Sequence, residues 1–341
     1  MTEMSEERFP APGEAALAAD GSLLLGARRI PLPVSVSPAA RGYLAMPRVT
    51  LGQCPPLADK EAWRRRVAQV DTGSEARVQQ MLAAVGDRAR VETRTIAGVV
   101  VHVAVPAEPQ PSRREWLRIT VHGGALVYMG GAFARAEAAL VAVQTGCEAW
   151  SVDYRMPPDH PYPAAVDDVV EAYRAALAAR APGRIAISGA SAGGNVAAAA
   201  VLKARDLGLP LPGALGLFTP ECDLTESGDS FATNRDVDNV LPGPLPDEIA
   251  LYTGGADLRH PYLSPLFGDF TSGYPPTQIQ TGTRDLFLSN SVRMHRALRS
   301  AGVTAELHVW EAMPHGGFGP DAPESAEARR EFTDFLDRHL G

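Results

Sequence analysis

Three side chains in this sequence could do nucleophilic chemistry together: Ser191, Asp285 and His315. Ser191 stands in Gly189-Ala190-Ser191-Ala192-Gly193, directly after the strand-like run Arg184 to Ser188 and just before an alanine-rich helix former, Asn195 to Lys203. A serine on a sharp strand-to-helix turn needs small neighbours on both sides, because the backbone doubles back there. At a helix N-terminus it is also surrounded by free amides that can support a developing negative charge. A hydroxyl is a poor nucleophile at neutral pH until an imidazole takes its proton, and the imidazole needs a carboxylate to fix its tautomer and stabilise its charged form. Of the eight histidines, His315 lies in the loop Met313 to Phe318, which leaves the strand-like Ala305 to Trp310. His308 sits inside that strand, His295 in mid-helix and His339 at a C-terminal helix end, so these read as structural. Asp285 follows the strand-like Thr277 to Thr283 and precedes an amphipathic helix. That places it at the carboxyl end of a strand, where open α/β sheets put catalytic groups. Asp223, after Leu215 to Pro220, is the competing acid.

A second stretch suits the same chemistry. The strand candidate Leu117 to Val121 ends in His122-Gly123-Gly124-Ala125 and runs on through Tyr128 and Met129 to Gly130-Gly131. Consecutive glycines after a buried strand let the backbone approach a ligand and turn its N–H groups outward. Gly123 and Gly124 would supply two amides of an oxyanion hole, and Ala192, after the serine, the third. His122 precedes these glycines and reads as a brace for the loop.

Together these motifs make the chain resemble the hormone-sensitive-lipase-like family of α/β-hydrolases, bacterial esterases and lactone hydrolases with an HGG oxyanion motif. The resemblance rests on His122-Gly123-Gly124, Gly189 to Gly194, Thr283-Arg284-Asp285 and Met313-Pro314-His315, and on Asp153 to Ala165, which is similar to the family's tyrosine-arginine-proline segment. It covers roughly residues 90 to 341 and implies Ser191 as nucleophile, Asp285 as acid, His315 as base, and Gly123, Gly124 and Ala192 as oxyanion donors. Ala125 stands where the family usually has a third glycine, and with Leu126 and Val127 it would tighten the floor of the acyl pocket. The implied reaction is hydrolysis of neutral short- to medium-chain esters through an acyl-enzyme. Lactones come next, then amides; a non-catalytic ligand-binding protein that keeps the fold is the alternative of another class.

The resemblance implies an α/β-hydrolase fold to position the site: an eight-stranded, mostly parallel sheet flanked by helices, with an N-terminal helical cap. Strand-like segments fall at 91–95, 99–105, 117–121, 147–153, 184–188, 214–219, 277–283 and 305–310, the first two close enough to pair antiparallel. A crossover helix at 163–180 carries Val166, Val169, Val170, Tyr173 and Leu177 on one stripe, with Asp167 and Asp168 read as structural. Residues 89–341 form the catalytic domain. Residues 1–88 form an N-terminal segment and cap, with helices at about 58–70 (Trp63, Val67, Val70 inward) and 74–85 (Val78, Met81, Leu82 inward). The Asp-, Pro- and Gly-rich stretch 226–262 is a candidate second piece of the cap.

Composition bounds the partners. Against 40 acidic residues stand 32 basic ones, a net charge of −8 with no basic cluster interleaved with aromatics, which argues against nucleic acid. Arg64-Arg65-Arg66 reads as a solvated helix face. No apolar stretch approaches the roughly 20 residues that span a bilayer, and no signal-peptide pattern opens the chain, so a cytoplasmic protein is expected. The three cysteines, Cys54, Cys147 and Cys222, require no disulfide. No ligand spacing or phosphate-loop pattern points to a metal or a cofactor. The strand 305–310 would be the last in the sheet, and the frequent pairing of family members through it implies a homodimer.

Overall fold

The computed structural model describes residues 10–50 and 52–341 of the chain. They divide into two compact units, one ending at Ser35 and one running from Val36 to Gly341. In the first, β1 (Ala15–Leu17) and β2 (Leu23–Leu25) form a short antiparallel hairpin that leaves Leu17 and Leu23 exposed. The sequence predicts no strand here, because three-residue strands with no buried face carry no alternation.

The second unit opens with helices α1 (Pro38–Leu44), α2 (Lys60–Gly73) and α3 (Glu75–Val85). Ser37 and Asp59 cap α1 and α2 by accepting the amides of Ala40 and Ala62. An eight-stranded sheet follows, built from β3 (Ala89–Ile96), β4 (Val99–Pro106), β5 (Leu117–Val121), β6 (Glu148–Asp153), β7 (Ile185–Ala190), β8 (Ala214–Phe218), β9 (Thr277–Gly282) and β10 (Ala305–Trp310), in the order β10-β9-β8-β7-β5-β6-β4-β3. The strands β5 to β10 are mutually parallel, and β4 is antiparallel to both β3 and β6. Each of the eight expected strands is present, and 305–310 is at the edge.

Crossover helices cover both faces, as parallel strands require. On one lie α4 (Ala132–Thr145) and α10 (Pro323–His339). On the other α5 (Ala164–Ala179), α6 (Ala192–Asp206) and α9 (Leu288–Ser300) enclose the main core. The period of two along β8 shows the division: Leu215 and Leu217 enter the main core, whereas a Cβ on Gly216 would lie 2.3 Å from the Phe332 ring of α10. Helix α6 is buried without interruption from Ala192 to Leu202, which explains its runs of alanine: only small side chains let a helix pass this close to the sheet. Two short helices, α7 (Ser230–Thr233) and α8 (Pro246–Thr253), lie in the stretch after β8.

Among the described residues no helix is long and apolar enough to cross a membrane. Helix α2 buries Trp63 against Val127 and Tyr128 in the loop after β5, and α3 packs Val78 and Met81 on Phe133 of α4. Leu82, expected on the inner face of α3, is exposed, and Val85 is buried instead. The inner stripe therefore runs Val78, Met81, Val85.

Candidate active site

The tight approaches at the end of β7 dictate its residue types. Ser191 has φ +56°, a strained conformation for a side-chain-bearing residue, held because its N–H donates to Phe218 O at 2.9 Å while its carbonyl accepts from Gly194 and Glu221. A Cβ on Gly189 would lie 2.1 Å from Gly193 O, and one on Gly193 would lie 2.0 Å from Val121 O. Glycine alone fits at both places.

The turn brings together the three residues singled out in the sequence. His315 Nε2 is 2.8 Å from Ser191 Oγ, and His315 Nδ1 is 3.0 Å from Asp285 Oδ1. Asp285 is fully buried; its Oδ2 accepts from Thr281 Oγ1 at 2.7 Å and its Oδ1 from the Phe287 amide at 3.0 Å. With Nδ1–H donating to the carboxylate, Nε2 is left to accept from the serine hydroxyl. The Phe287 ring meets His315 edge-on, with centroids 4.9 Å apart. This chain of hydrogen bonds can move the serine proton onto the imidazole as the oxygen attacks an electrophilic carbon.

Gly123 lies directly against the serine, since a Cβ there would stand 3.3 Å from Ser191 Cβ. Gly124 has φ +120°, and a Cβ would lie 2.1 Å from Tyr128 O. The N–H groups of Gly123, Gly124 and Ala192 find no acceptor among the described residues, which leaves them free for an oxyanion. Ala125, Leu126 and Met129 all adopt positive φ, so the loop is strained over much of its length. Outside contacts hold it: Met129 N donates to Asp71 Oδ1 at 2.8 Å, Gly131 N to Asp153 Oδ1 at 3.0 Å, and Tyr128 Oη to Glu248 Oε1 at 3.1 Å. Leu126 and Val127, expected to shape the acyl pocket, are fully buried in the main core and against Trp63. They steer the loop and offer no surface to a ligand.

The other candidates fall elsewhere. Asp223 accepts from Thr225, Ser227 and, at 2.5 Å, Arg293 Nη1, with no bond to His315. Burial raises its pKa, but these hydrogen bonds outweigh that and hold it below the ordinary carboxylate range. His122 is fully buried, stacks on Tyr154 at 4.2 Å and bonds Gly123 O through Nδ1, while Tyr154 Oη donates to the His122 carbonyl. Burial lowers its pKa, which suits a neutral brace. His308 pairs with Glu306 and Glu331, Asp168 with Arg155, and Asp167 with Lys203. Arg66 departs from the expected solvated face: its Nε donates to Tyr128 Oη at 2.9 Å and its other nitrogens to the carbonyls of Gly52 and Gln53. A run of three arginines reads as solvated by its charge alone, and that reading could not anticipate the loop that Arg66 bonds.

Two buried carboxyl groups next to these residues are not predicted from the sequence. Asp238 is fully buried and accepts from the amides of Leu286 and His315, both at 3.0 Å. Glu221, also fully buried, donates its amide to Ser191 O, while both its carboxyl oxygens lack a partner among the described residues. Burial, reinforced by Glu226, Glu248 and Asp223, pushes its pKa well above the ordinary value. No local motif marks either. Ser230, Asn234 and Asp238, four residues apart, all bond the segment 283–289 through their side chains, a relation that only the fold reveals.

A cavity of about 830 Å³ lies where the N-terminal segment, the turn after β6 and the 226–262 stretch meet, walled by Leu57, Pro158, Leu224, Ile249, Leu251 and Leu258. Ser191, Asp285 and His315 are not in its wall, so it carries no part of the proton transfer.

Known proteins are similar to this chain in sequence and in fold. A family model described as the alpha/beta hydrolase fold matches residues 118–318. An acetyl-hydrolase of Streptomyces hygroscopicus is 34% identical over 227 residues, covering 63% of this chain and 76% of that protein. The crystal structure of an esterase, E25, superposes with a TM-score of 0.86 at 36% identity, covering 93% of this chain and 98% of the other. An esterase from the bacterial hormone-sensitive lipase family gives a TM-score of 0.73 at 29% identity, covering 90% and 100%.

Proposed function

Because this chain belongs to the α/β-hydrolase family, as a bacterial esterase of the hormone-sensitive-lipase-like kind, we propose that Ser191, His315 and Asp285 are its catalytic triad and Gly123, Gly124 and Ala192 its oxyanion donors. It is a serine-type carboxylesterase that acts on small to medium esters through an acyl-enzyme. The observation that carries the assignment is the unbroken hydrogen-bond chain from Ser191 Oγ through His315 to Asp285, beside amides that have no other use. His315 takes the serine proton as Oγ attacks the ester carbonyl, the amides hold the oxyanion, and His315 then protonates the departing alkoxide. Water repeats the cycle on the acyl-enzyme. For a lactone the leaving alcohol stays tethered to the acyl group, so product leaves only after the second half-reaction.

Replacing Ser191 by Ala tests this. Turnover of p-nitrophenyl esters and covalent labelling by a fluorophosphonate should both disappear while the circular dichroism spectrum stays that of the wild type; a wild-type protein that resists the probe would be a ligand-binding relative instead. Esters of about C2 to C8 should be preferred over C12 and longer, as the small or apolar residues that flank the motifs in sequence, Ala125, Met129 and Ala192, imply. A panel of esters, small lactones and anilides ranks the alternatives.

Three further readings go with this function. Within the unit that begins at Val36, the helices up to residue 88, with 226–262, act as the cap over the catalytic domain 89–341, which the packing of Trp63 on the loop after β5 supports. A cytoplasmic location suits the three free thiols. A homodimer would cover the edge strand β10, where Val309 is 46% exposed; light scattering that gave a mass of 36.2 kDa at every concentration would remove it.

A further inference from the structure

The segment between β8 and β9 does more than border the site. From it Ser230, Asn234 and Asp238, spaced four residues apart, reach the loop that carries Asp285. Ser230 Oγ donates to Leu286 O at 2.6 Å and accepts from Ser289 N at 2.9 Å. Asn234 Nδ2 donates to the carbonyls of Asp285 and Thr283 at 2.8 and 3.2 Å. Asp238 alone touches both loops, since its Oδ2 accepts from Leu286 N and His315 N, each at 3.0 Å. Its Oδ1 accepts from Val240 N and Leu241 N at 2.9 and 3.1 Å. Four N–H donors converge on one carboxyl group with no acceptor opposite, an arrangement that only the ionised form satisfies in full.

We propose that Asp238 is a positioning residue for the hydrolysis, locking the acid loop and the base loop to one carboxylate oxygen so that His315 is aligned between Asp285 and Ser191. The inference rests on the triad assignment and adds a residue to it. The two loops arrive from different strand ends, and the chain between Leu286 and His315 passes through α9 and β10. The shared oxygen ties the residue after the acid directly to the base's own backbone. The fully buried carboxylate also adds a second negative charge beside the imidazole, with Asp285 the other. The groups facing it are His315 on the base loop, Asp285 on the acid loop and Tyr43 from α1. Burial raises the Asp238 pKa and His315 opposes that rise, as expected of a charge that favours imidazolium.

Two variants test this. Asp238→Asn keeps the shape but turns an NH₂ toward N–H donors. Asp238→Ser keeps a short acceptor for the local Val240 and Leu241 amides and loses the reach to His315, so the turn survives while the lock is cut. In each, kcat on a p-nitrophenyl ester should fall on the order of 10- to 100-fold with KM within about threefold. The acid limb of kcat/KM should move down by about half a pH unit or more, because one of the charges that stabilise imidazolium is gone. The rate of Ser191 labelling by a fluorophosphonate, followed against pH, should show the same shift. A folded Asp238→Ser protein with wild-type kcat and an unmoved acid limb overturns the inference and leaves the triad standing. A wild-type protein that is never labelled takes both down.

Discussion

Asp285 and Asp223 are both buried aspartates near strand ends, and only one is bonded to an imidazole. The Asp285→Asn variant should keep Ser191 and His315 in place but deprive the ring of tautomer control, and a loss of about 10⁴-fold in kcat, the figure measured for the equivalent change in a serine protease, is the expected scale. Asp223→Asn should retain kcat/KM within a few-fold and lose stability instead, because it weakens the pairing with Arg293. Steady-state rates and urea midpoints on both variants separate the two roles; an inactive, folded Asp223→Asn protein would transfer the acid role to β8. The kcat/KM of the wild type should also fall as the pH drops and free-enzyme His315 takes up a proton, and a flat profile from about pH 5 to 9 would remove His315 as base. These residues were legible in sequence because each follows a strand directly, so a local pattern marks it. Asp238 was not, since its partners lie 48 and 77 positions away and only the folded chain brings them together. Glu221 hid for a related reason: the acidic side chains that raise its pKa, Glu226, Asp223 and Glu248, are gathered around it by folding, which no pattern of period two or 3.6 encodes.

At the scale of elements, strand-like runs located all eight sheet strands; a strand covered by helices on both faces, such as Ala214–Phe218, is apolar over most of its length, whereas Thr277–Gly282 is buried although mostly polar. The edges of helix stripes were less legible, and α3 shows why. Val78 and Met81 pack on α4, yet the stripe passes to Val85 and leaves Leu82 outside, a rotation set by the partner helix and not by the spacing. The relation of α2 to the oxyanion loop was legible only as a need for cover. In the fold it is a set of specific bonds, Asp71 to Met129 N and Arg66 to Tyr128 Oη, that hold a loop with positive φ at Ala125, Leu126 and Met129. Asp71→Ala removes the acceptor for the Met129 amide, so kcat should fall on the order of tenfold with little change in KM as the loop relaxes. Kinetics indistinguishable from wild type would mean that the loop holds its shape without α2.

At the scale of the whole molecule, folding gathers acidic groups around Glu221, whose amide bonds the Ser191 carbonyl. Glu221, Asp223, Glu226 and Glu248, all in the stretch after β8, influence one another's charge, and Arg293 and Arg66 answer only Asp223 and Glu248. Glu226 shows the consequence: burial first, then Glu248 and Asp223, push its pKa from 4.5 to about 6, against the opposing hydrogen bond from Leu245 N. A carboxyl whose pKa is raised by folding binds more protons in the native state than in the unfolded one between about pH 4.5 and 6, so stability falls as pH rises through that window. The full penalty is present above it. A shift of this size corresponds to about 2 kcal/mol, and discounting for partial exposure leaves about 1 kcal/mol. Glu226→Gln keeps an oxygen for the Leu245 amide and removes the charge. It should therefore raise the thermal midpoint by about 2 °C at pH 8 and leave it unchanged at pH 4. Calorimetry at the two pH values decides the matter, and an equal shift at both, or a loss of stability at pH 8, would show that the acidic cluster does not strain the native state.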